Sequence, residues 1–256
     1  MSLKGKNAII TGARSGIGLA TLRLFASKGC NSWAVVHRDD PEWLTEIERL
    51  QNENEVWIKP VHINLEDYES IKTGVQGIIK ERLPIDVLVN AAGIVSENRL
   101  FTMTRMEDIR RVMEVNFFSI LELTQLVTRK MMRQNNGSII NIASIAADCE
   151  DTSQLEYATS KAALVCATKK LARELAPNGI RVNAVSPGLT QTKMVDSLSE
   201  ESVQKLLAGM VANRFGKPEE IADVIAFLAD DNSSFVNGVN IKIDGGGYDL
   251  KTLISR

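Results

Sequence analysis

Histidine and cysteine are scarce in this chain, and several catalytic machines are excluded with them. Only two of its 256 residues are histidines, His37 and His62, and neither has a cysteine or a second histidine beside it. A zinc site and a Ser-His-Asp hydrolase both lack their obvious parts, so no metal is expected. The three cysteines, Cys30, Cys149 and Cys166, are odd in number and widely spaced, without a C-x-x-C pair. That usage suits free thiols in a reducing cytoplasm rather than a disulfide frame. No apolar run approaches the roughly 20 residues of a membrane span. The opening M-S-L-K-G-K runs straight into a strand pattern without a signal-peptide core, so a cytoplasmic location is expected. A net charge of −2 with no basic tract leaves neither nucleic acid nor a membrane surface an electrostatic footprint.

What is present is an alternation of short apolar runs and helical periodicities, undivided by linker, low-complexity tract or repeat. The pattern predicts one α/β domain over residues 1–256. Strands are expected at Asn7–Ile10, Ser32–Val36, Val56–Ile63, Ile85–Val89, Ser138–Ile142, Arg181–Val185 and Asn240–Ile243. Helices are expected at Ile17–Ser27, Trp43–Gln51, Glu69–Lys80, Glu156–Ala176 and Pro218–Ala229, with a long one at Met106–Arg133 broken near Asn116-Phe117. Strands that alternate with helices imply a parallel sheet covered on both faces. The stretch 190–215 reads as polar and irregular, with one amphipathic piece at Val203–Met210.

Between the first strand and first helix stands T-G-A-R-S-G-I-G. Gly12, Gly16 and Gly18 permit a tight turn, close approach of backbone to a ligand and close helix–strand packing. The helix that starts there turns its free N–H groups and positive dipole end toward the turn, a place suited to a pyrophosphate. The second strand ends where a dinucleotide ribose would lie. There the chain has His37 and Arg38 rather than an acid, and Arg14 stands in the glycine turn. Two guanidinium groups suit a 2′-phosphate, which favours NADP(H) over NAD(H). Asp39 and Asp40 oppose that preference if either turns inward.

Ser144 ends the fifth apolar run, and Tyr157 follows thirteen residues later, four places before Lys161. On a helix, Tyr157 and Lys161 share one face, a turn apart. An ammonium near a phenol stabilises phenolate and lowers a pKa that starts near 10. Such a tyrosine can exchange a proton with a carbonyl or alcohol oxygen. Ser144, at a strand tip, can hydrogen-bond the same oxygen. Cys149 lies between them, but Glu150 and Asp151 beside it argue against a reactive thiolate.

With these residues in order, the chain resembles the short-chain dehydrogenase/reductase family, almost end to end. The resemblance rests on T-G-x-x-x-G-I-G at 11–18, N-A-A-G at 90–93, Asn116, Ser144, Tyr157, Lys161 and P-G at 187–188. It extends to R-F-G-K-P-E-E-I-A at 214–222 and I-D-G-G at 243–246. It implies a Rossmann-like, doubly wound sheet of seven parallel strands in the order 3-2-1-4-5-6-7, with the site at the strand C-terminal ends. It also implies roles. Tyr157 is the acid/base, Lys161 tunes it and holds the nicotinamide ribose, Ser144 orients the carbonyl, and Asn116 holds a water that links Lys161 to solvent. The dinucleotide would lie along Gly12, Arg14, Ser15, Gly16, Ile17 and Gly18, then His37 and Arg38, then Asn64 and Leu65. It would continue past Asn90, Ala91, Ala92 and Gly93 to Tyr157 and Lys161. Pro187, Gly188, Leu189, Thr190 and Thr192 would border its nicotinamide end.

Within the family the 3-oxoacyl-acyl-carrier-protein reductases are most similar. Those enzymes tend to carry basic residues before the fifth and sixth strands, where this chain has Asn135 and Asn178. Asn64 replaces an acid after the third strand, and a tail, Tyr248–Arg256, runs past the usual end. A small carbonyl or alcohol substrate is therefore expected, with an acyl thioester among the options. Met194, Leu198, Leu206, Leu207 and Met210 form either an apolar lid over it or the buried face of a helix. The resemblance further implies a homotetramer or homodimer, for which Leu123, Val127, Leu164, Ala167 and Leu171 offer an apolar stripe. Two other readings stand beside the leading one. One is an NAD(H)-dependent dehydrogenase of a sugar, polyol or other small hydroxy compound; the other is a dormant dinucleotide-binding regulator.

Overall fold

The computed structural model describes residues 2–148, 154–191 and 200–247. Seven strands form one sheet in the order β3-β2-β1-β4-β5-β6-β7, every neighbouring pair parallel. They are β1 Asn7–Thr11, β2 Asn31–Val36, β3 Ile58–His62, β4 Val87–Asn90, β5 Gly137–Ile142, β6 Ile180–Pro187 and β7 Asn240–Ile243. The helices are α1 Gly16–Ser27, α2 Pro41–Asn54, α3 Tyr68–Lys80, α4 Met106–Met113, α5 Ser119–Gln134, α6 Leu155–Leu175, α7 Glu200–Ala208 and α8 Pro218–Ala229. This is the Rossmann-like arrangement expected. Because the chain winds outward from β1 in both directions, the ends of β1 and β4 form the switch point where such sheets bind ligands.

Strand residues alternate between two buried layers, as the period of two requires. Ala8, Ile10, Ala34 and Val36 join Leu22, Phe25, Trp43, Ile47 and Ile225 of α1, α2 and α8 in one layer. Ile9, Trp33, Val35 and Leu88 join Ile71, Val75, Leu123, Val127 and Met131 of α3 and α5 in the other. Among the described residues no helix is long and apolar enough to cross a membrane.

Three local differences from the sequence reading have identifiable causes. Helix α2 starts at Pro41, two residues early, because Asp40 accepts a hydrogen bond from the Trp43 amide at 2.9 Å and Pro41 fits the first helical position. Strand β6 runs on to Pro187, since Ser186 and Pro187 pair with Lys242 and Ile243 of β7. The expected break near Asn116 is a π-helical turn at Glu114–Phe118 that joins α4 to α5 without interrupting the backbone path.

The apolar stripe expected to mediate assembly needs correction. Leu123 and Val127 are wholly buried inside the subunit, and Leu164 nearly so. Leu171 packs against the same inner layer. Helices α5 and α6 use Leu123, Val127 and Leu171 in the inner layer against their own sheet. Among the described residues, the large apolar side chains left exposed in this part of the surface are Met132 on α5, Leu155 on α6, and Leu100, Phe101, Met103, Met106 and Phe118 in the segment that leads into α5.

Candidate active site

The glycine turn after β1 is built too tightly for side chains. A Cβ on Gly18 would stand 2.3 Å from the Gly12 carbonyl oxygen. One on Gly12, which has a φ of +68°, would stand 3.0 Å from the backbone of Ala92. The turn and the N-A-A-G segment after β4 are therefore packed backbone to backbone. Thr11 joins them: its buried hydroxyl accepts from the amides of Ala91 at 3.0 Å and Ala92 at 2.9 Å. Thr11 was not among the expected site residues, although it opens the motif at position 11. Its signal was a polar residue at the end of an otherwise apolar strand.

Helix α1 presents its N-terminus to this turn without a side-chain cap. Ser15 occupies the N-cap position but makes no capping hydrogen bond, and the first turn holds no acid. By contrast, Asp40 and Asp67 cap α2 and α3. Uncapped N–H groups at the mouth of a glycine cradle fit a diphosphate. We expect Gly18→Val to abolish dinucleotide binding, because a side chain at 18 cannot coexist with the Gly12 carbonyl. Fluorescence titration with a reduced nicotinamide dinucleotide reads this directly, and wild-type affinity in the variant would contradict it.

Beyond β2, His37 and Arg38 are both exposed. Arg14 Nη1 lies 3.0 Å from Asp40 Oδ2, and Asp39 Oδ2 lies 3.1 Å from His62 Nε2. Asp40 thus reaches the glycine turn, while Asp39 is engaged toward β3. Asn64 spends its side-chain oxygen on the Glu66 amide at 3.1 Å, and the carbonyl of Leu65 accepts from Ser119. The Asn90 side chain turns inward, donating to Thr124 at 3.0 Å and Asn141 at 2.8 Å. Only its backbone borders the turn.

Helix α6 brings Tyr157 and Lys161 under the C-terminal end of β5. Lys161 Nζ donates to the Ile142 carbonyl at 2.8 Å and lies 5.7 Å from the Tyr157 ring centroid. Burial pulls the Lys161 pKa down to about 8. Tyr157 is pushed the other way from the expectation. Burial raises its pKa, and a hydrogen bond with the Ser144 hydroxyl lowers it by less. Desolvation disfavours the charged form of both groups, which lowers an amine and raises a phenol. Ser144 also accepts from the Ala146 amide at 3.1 Å, which fixes its hydroxyl at the start of a 3-10 turn.

Asn116 is fully buried in the π turn. Its amide clamps Ile94 on both sides, accepting from the Ile94 N–H and donating to its carbonyl, each at 2.8 Å. It also donates to Ser160 at 3.2 Å. These bonds use both amide protons and one of the two acceptor positions of the amide oxygen. A Cβ on Gly93 would lie 3.1 Å from Asn116 Oδ1 and 3.4 Å from Lys161 Nζ, so this glycine keeps the space beside the ammonium open.

At the far side, the Gly188 amide donates to the Ile243 carbonyl at 2.9 Å, and a Cβ there would stand 2.9 Å from Asp244. The Leu189 carbonyl accepts from Gly216 at 2.9 Å, and Thr190 donates to the Gly188 carbonyl at 2.9 Å. Pro187 to Thr190 are thereby strapped to β7 and to residue 216. Of the candidate lid, Leu206 and Leu207 are half-buried and Met210 is buried. Thr192, Met194, Leu198, Cys149 and the tail from Tyr248 lie outside the described residues. Among the described residues, no three His, Cys, Asp or Glu side chains are grouped to hold a metal ion.

Residues 12–248 match a family model described as enoyl-(acyl carrier protein) reductase. The chain is 42% identical over 248 residues to the 3-oxoacyl-(acyl-carrier-protein) reductase FabG of Thermotoga maritima, covering 96% of this chain and 99% of that one. The reductase of the same name from Escherichia coli is 35% identical, with 97% and 99% covered. Among solved structures, a short-chain type dehydrogenase/reductase from Mycobacterium marinum superposes with a TM-score of 0.87 at 31% identity, covering 96% of each chain. Levodione reductase gives a TM-score of 0.89 at 26% identity, covering 95% of this chain and 98% of that one.

Proposed function

The chain belongs to the short-chain dehydrogenase/reductase family of nicotinamide-dependent oxidoreductases, and from that premise we propose that it reduces a ketone or 3-oxoacyl group to a secondary alcohol, or runs the reverse, with NADP(H). One observation carries the proposal: Tyr157, Ser144 and Lys161 meet beside a glycine cradle and an uncapped helix end.

A bound dihydronicotinamide supplies the hydride. Tyr157 gives its phenolic proton to the carbonyl oxygen as negative charge builds there, and Ser144 donates to the same oxygen. Burial raises the Tyr157 pKa, so the phenol stays protonated at neutral pH, which is the form reduction requires. Lys161 spends one donor on Ile142 and has others for the ribose hydroxyls of the cofactor. Gly93 leaves that approach clear. Asn116 holds the loop after β4 through Ile94, so that the space beside Lys161 keeps its shape.

The preference for NADP(H) over NAD(H) rests on Arg14 and Arg38. The Arg14–Asp40 pair is more than a third exposed on both sides, and such pairs contribute about 0–1 kcal/mol. Asp40, fixed as the cap of α2, turns toward Arg14 and opposes a 2′-phosphate. The preference therefore requires Arg14 to exchange this weak pair for the phosphate and Arg38 to add a second guanidinium. We expect NADPH to bind about tenfold more tightly than NADH at physiological salt, with the gap narrowing at 1 M salt. Arg38→Ala should erode the gap further. Intrinsic tryptophan fluorescence reads both affinities, and tighter binding of NADH would favour the reading as a sugar or polyol dehydrogenase.

Asn135 and Asn178 stand where carrier-protein reductases tend to be basic, which favours a free thioester or small ketone over a carrier-bound acyl group. The proposal includes self-association as a homodimer or homotetramer, supported by the exposed Leu100, Phe101, Met103, Met106 and Phe118. Sedimentation should give more than a monomer at micromolar concentration; a monomer alone would contradict it.

A further inference from the structure

Glu156, next to the tyrosine of the site, is 1% exposed. One of its carboxylate oxygens accepts from the Ser96 hydroxyl, and the other has no hydrogen-bond partner. A buried carboxylate with an unfilled oxygen is costly, and an apolar side chain would fill the same space more cheaply. The first turn of α6 softens that cost, because an acid near a helix N-terminus is favoured by the backbone dipole. The dipole does not account for the choice of Ser96 as partner.

Ser96 is gripped twice by this turn. Besides the Glu156 contact, Gln154 Nε2 donates to the Ser96 carbonyl at 3.1 Å. Two residues earlier the same loop is clamped at Ile94 by Asn116, and one before that Gly93 abuts Lys161. The segment 93–96 therefore runs alongside the turn that carries Tyr157, pinned to it at its far end by Gln154 and Glu156. With Glu156 removed, only the Gln154 bond to the Ser96 carbonyl and the Asn116 clamp at Ile94 would hold this segment.

We infer that Glu156 is a positioning residue: by holding the Ser96 hydroxyl, it fixes the loop after β4 against the first turn of α6 and so sets the wall that orients the carbonyl substrate at Tyr157. The inference rests on the proposal that Tyr157 is the proton donor. It concerns the far end of this loop, beyond Ile94, because Ala91 and Ala92 at its near end are held to the glycine turn through Thr11.

The test is a double-mutant cycle on the full-length protein. Ser96→Ala removes the hydroxyl, Glu156→Ala removes the acceptor, and the double variant removes both. Each single change should lower kcat/KM for the carbonyl substrate about tenfold, the loss lying mainly in the KM for that substrate. NADPH affinity should stay within about twofold. The double variant should lose no more than either single one, since both break the same link. Glu156→Gln keeps a carbonyl oxygen for Ser96 and should recover most of what Ala loses. If Glu156→Ala does not fold, Ser96→Ala and Glu156→Gln decide alone. Wild-type KM in Ser96→Ala, additive losses in the double variant, or a Gln variant as impaired as Ala would each overturn the inference. Tyr157→Phe separates the two readings: a dead Tyr157→Phe with a normal Ser96→Ala removes only the role of Glu156, whereas an active Tyr157→Phe removes the proposed mechanism.

Discussion

Tyr157→Phe lowers kcat by roughly 10²–10⁴-fold and leaves NADPH affinity within about twofold of wild type. The substitution removes one oxygen and keeps the ring, so the packing of α6 against β5 is retained. What disappears is the proton donor and the hydrogen bond that ties it to Ser144. Lys161 keeps its bond to Ile142, and the glycine turn is untouched. The pH dependence follows from the sign of the shift. Burial raises the Tyr157 pKa, so the phenol remains a competent acid across neutral pH and reduction is not limited by its deprotonation there. Alcohol oxidation needs the phenolate and should climb as pH rises toward that raised pKa. Stopped-flow or steady-state absorbance at 340 nm in both directions checks this; a rate of oxidation that falls with rising pH would contradict it.

Lys161→Met has the second large effect, and its two readouts move in opposite directions. Turnover should fall by at least about 10²-fold, because both the ribose contact and the cation beside the phenol are lost. The cofactor-free protein should become more stable at neutral pH. In the folded state burial holds the ammonium pKa at about 8, below its value in the unfolded chain, so the folded protein binds this proton less tightly. Stability is therefore lowest below pH 8 on this account and rises as pH climbs through the window above it. The desolvation cost at pH 7 is about 3 kcal/mol, against about 1 kcal/mol for the lost bond to the Ile142 carbonyl. The net gain of about 2 kcal/mol corresponds to a rise in Tm of about 5 °C. Differential scanning calorimetry of the empty protein measures it, and a lower Tm in the variant would show that the cation is not a burden in the fold.

The order of elements was legible because each strand ends on a chemically distinct signal: Thr11-Gly12 after β1, Asn90 to Gly93 after β4, Ser144 after β5. Period-two alternation then assigns Ile9 and Ile10 to opposite layers without reference to anything distant. What pattern could not carry were contacts between residues far apart in the chain. Nothing local marks Asn116 as the partner of Ile94, or Glu156 as the partner of Ser96. The π turn that presents Asn116 looks, in sequence, like one long helix with a weak point. The apolar stripe on α5 and α6 is ambiguous for the same reason, since a helix with Leu123 and Val127 on one face gives no sign whether that face meets a sheet or another subunit. Sequence shows only one influence on Tyr157, its neighbour Lys161, whereas burial by the whole surrounding fold sets the direction of its shift. Charge proximity can be inferred from spacing four apart; desolvation cannot.

The central claim is that this site transfers a hydride to a carbonyl carbon and a proton from Tyr157 to its oxygen. Its most direct measurement is the consumption of NADPH at 340 nm by wild type and Tyr157→Phe side by side, over a panel of 3-oxoacyl thioesters, ketoses and small diketones. NADPH should disappear in step with alcohol formed for at least one member of the panel with wild type, and not with Tyr157→Phe. Tight binding of the dinucleotide without turnover of any carbonyl would identify the protein as a dormant binding domain, and equal turnover by both proteins would remove Tyr157 from the chemistry.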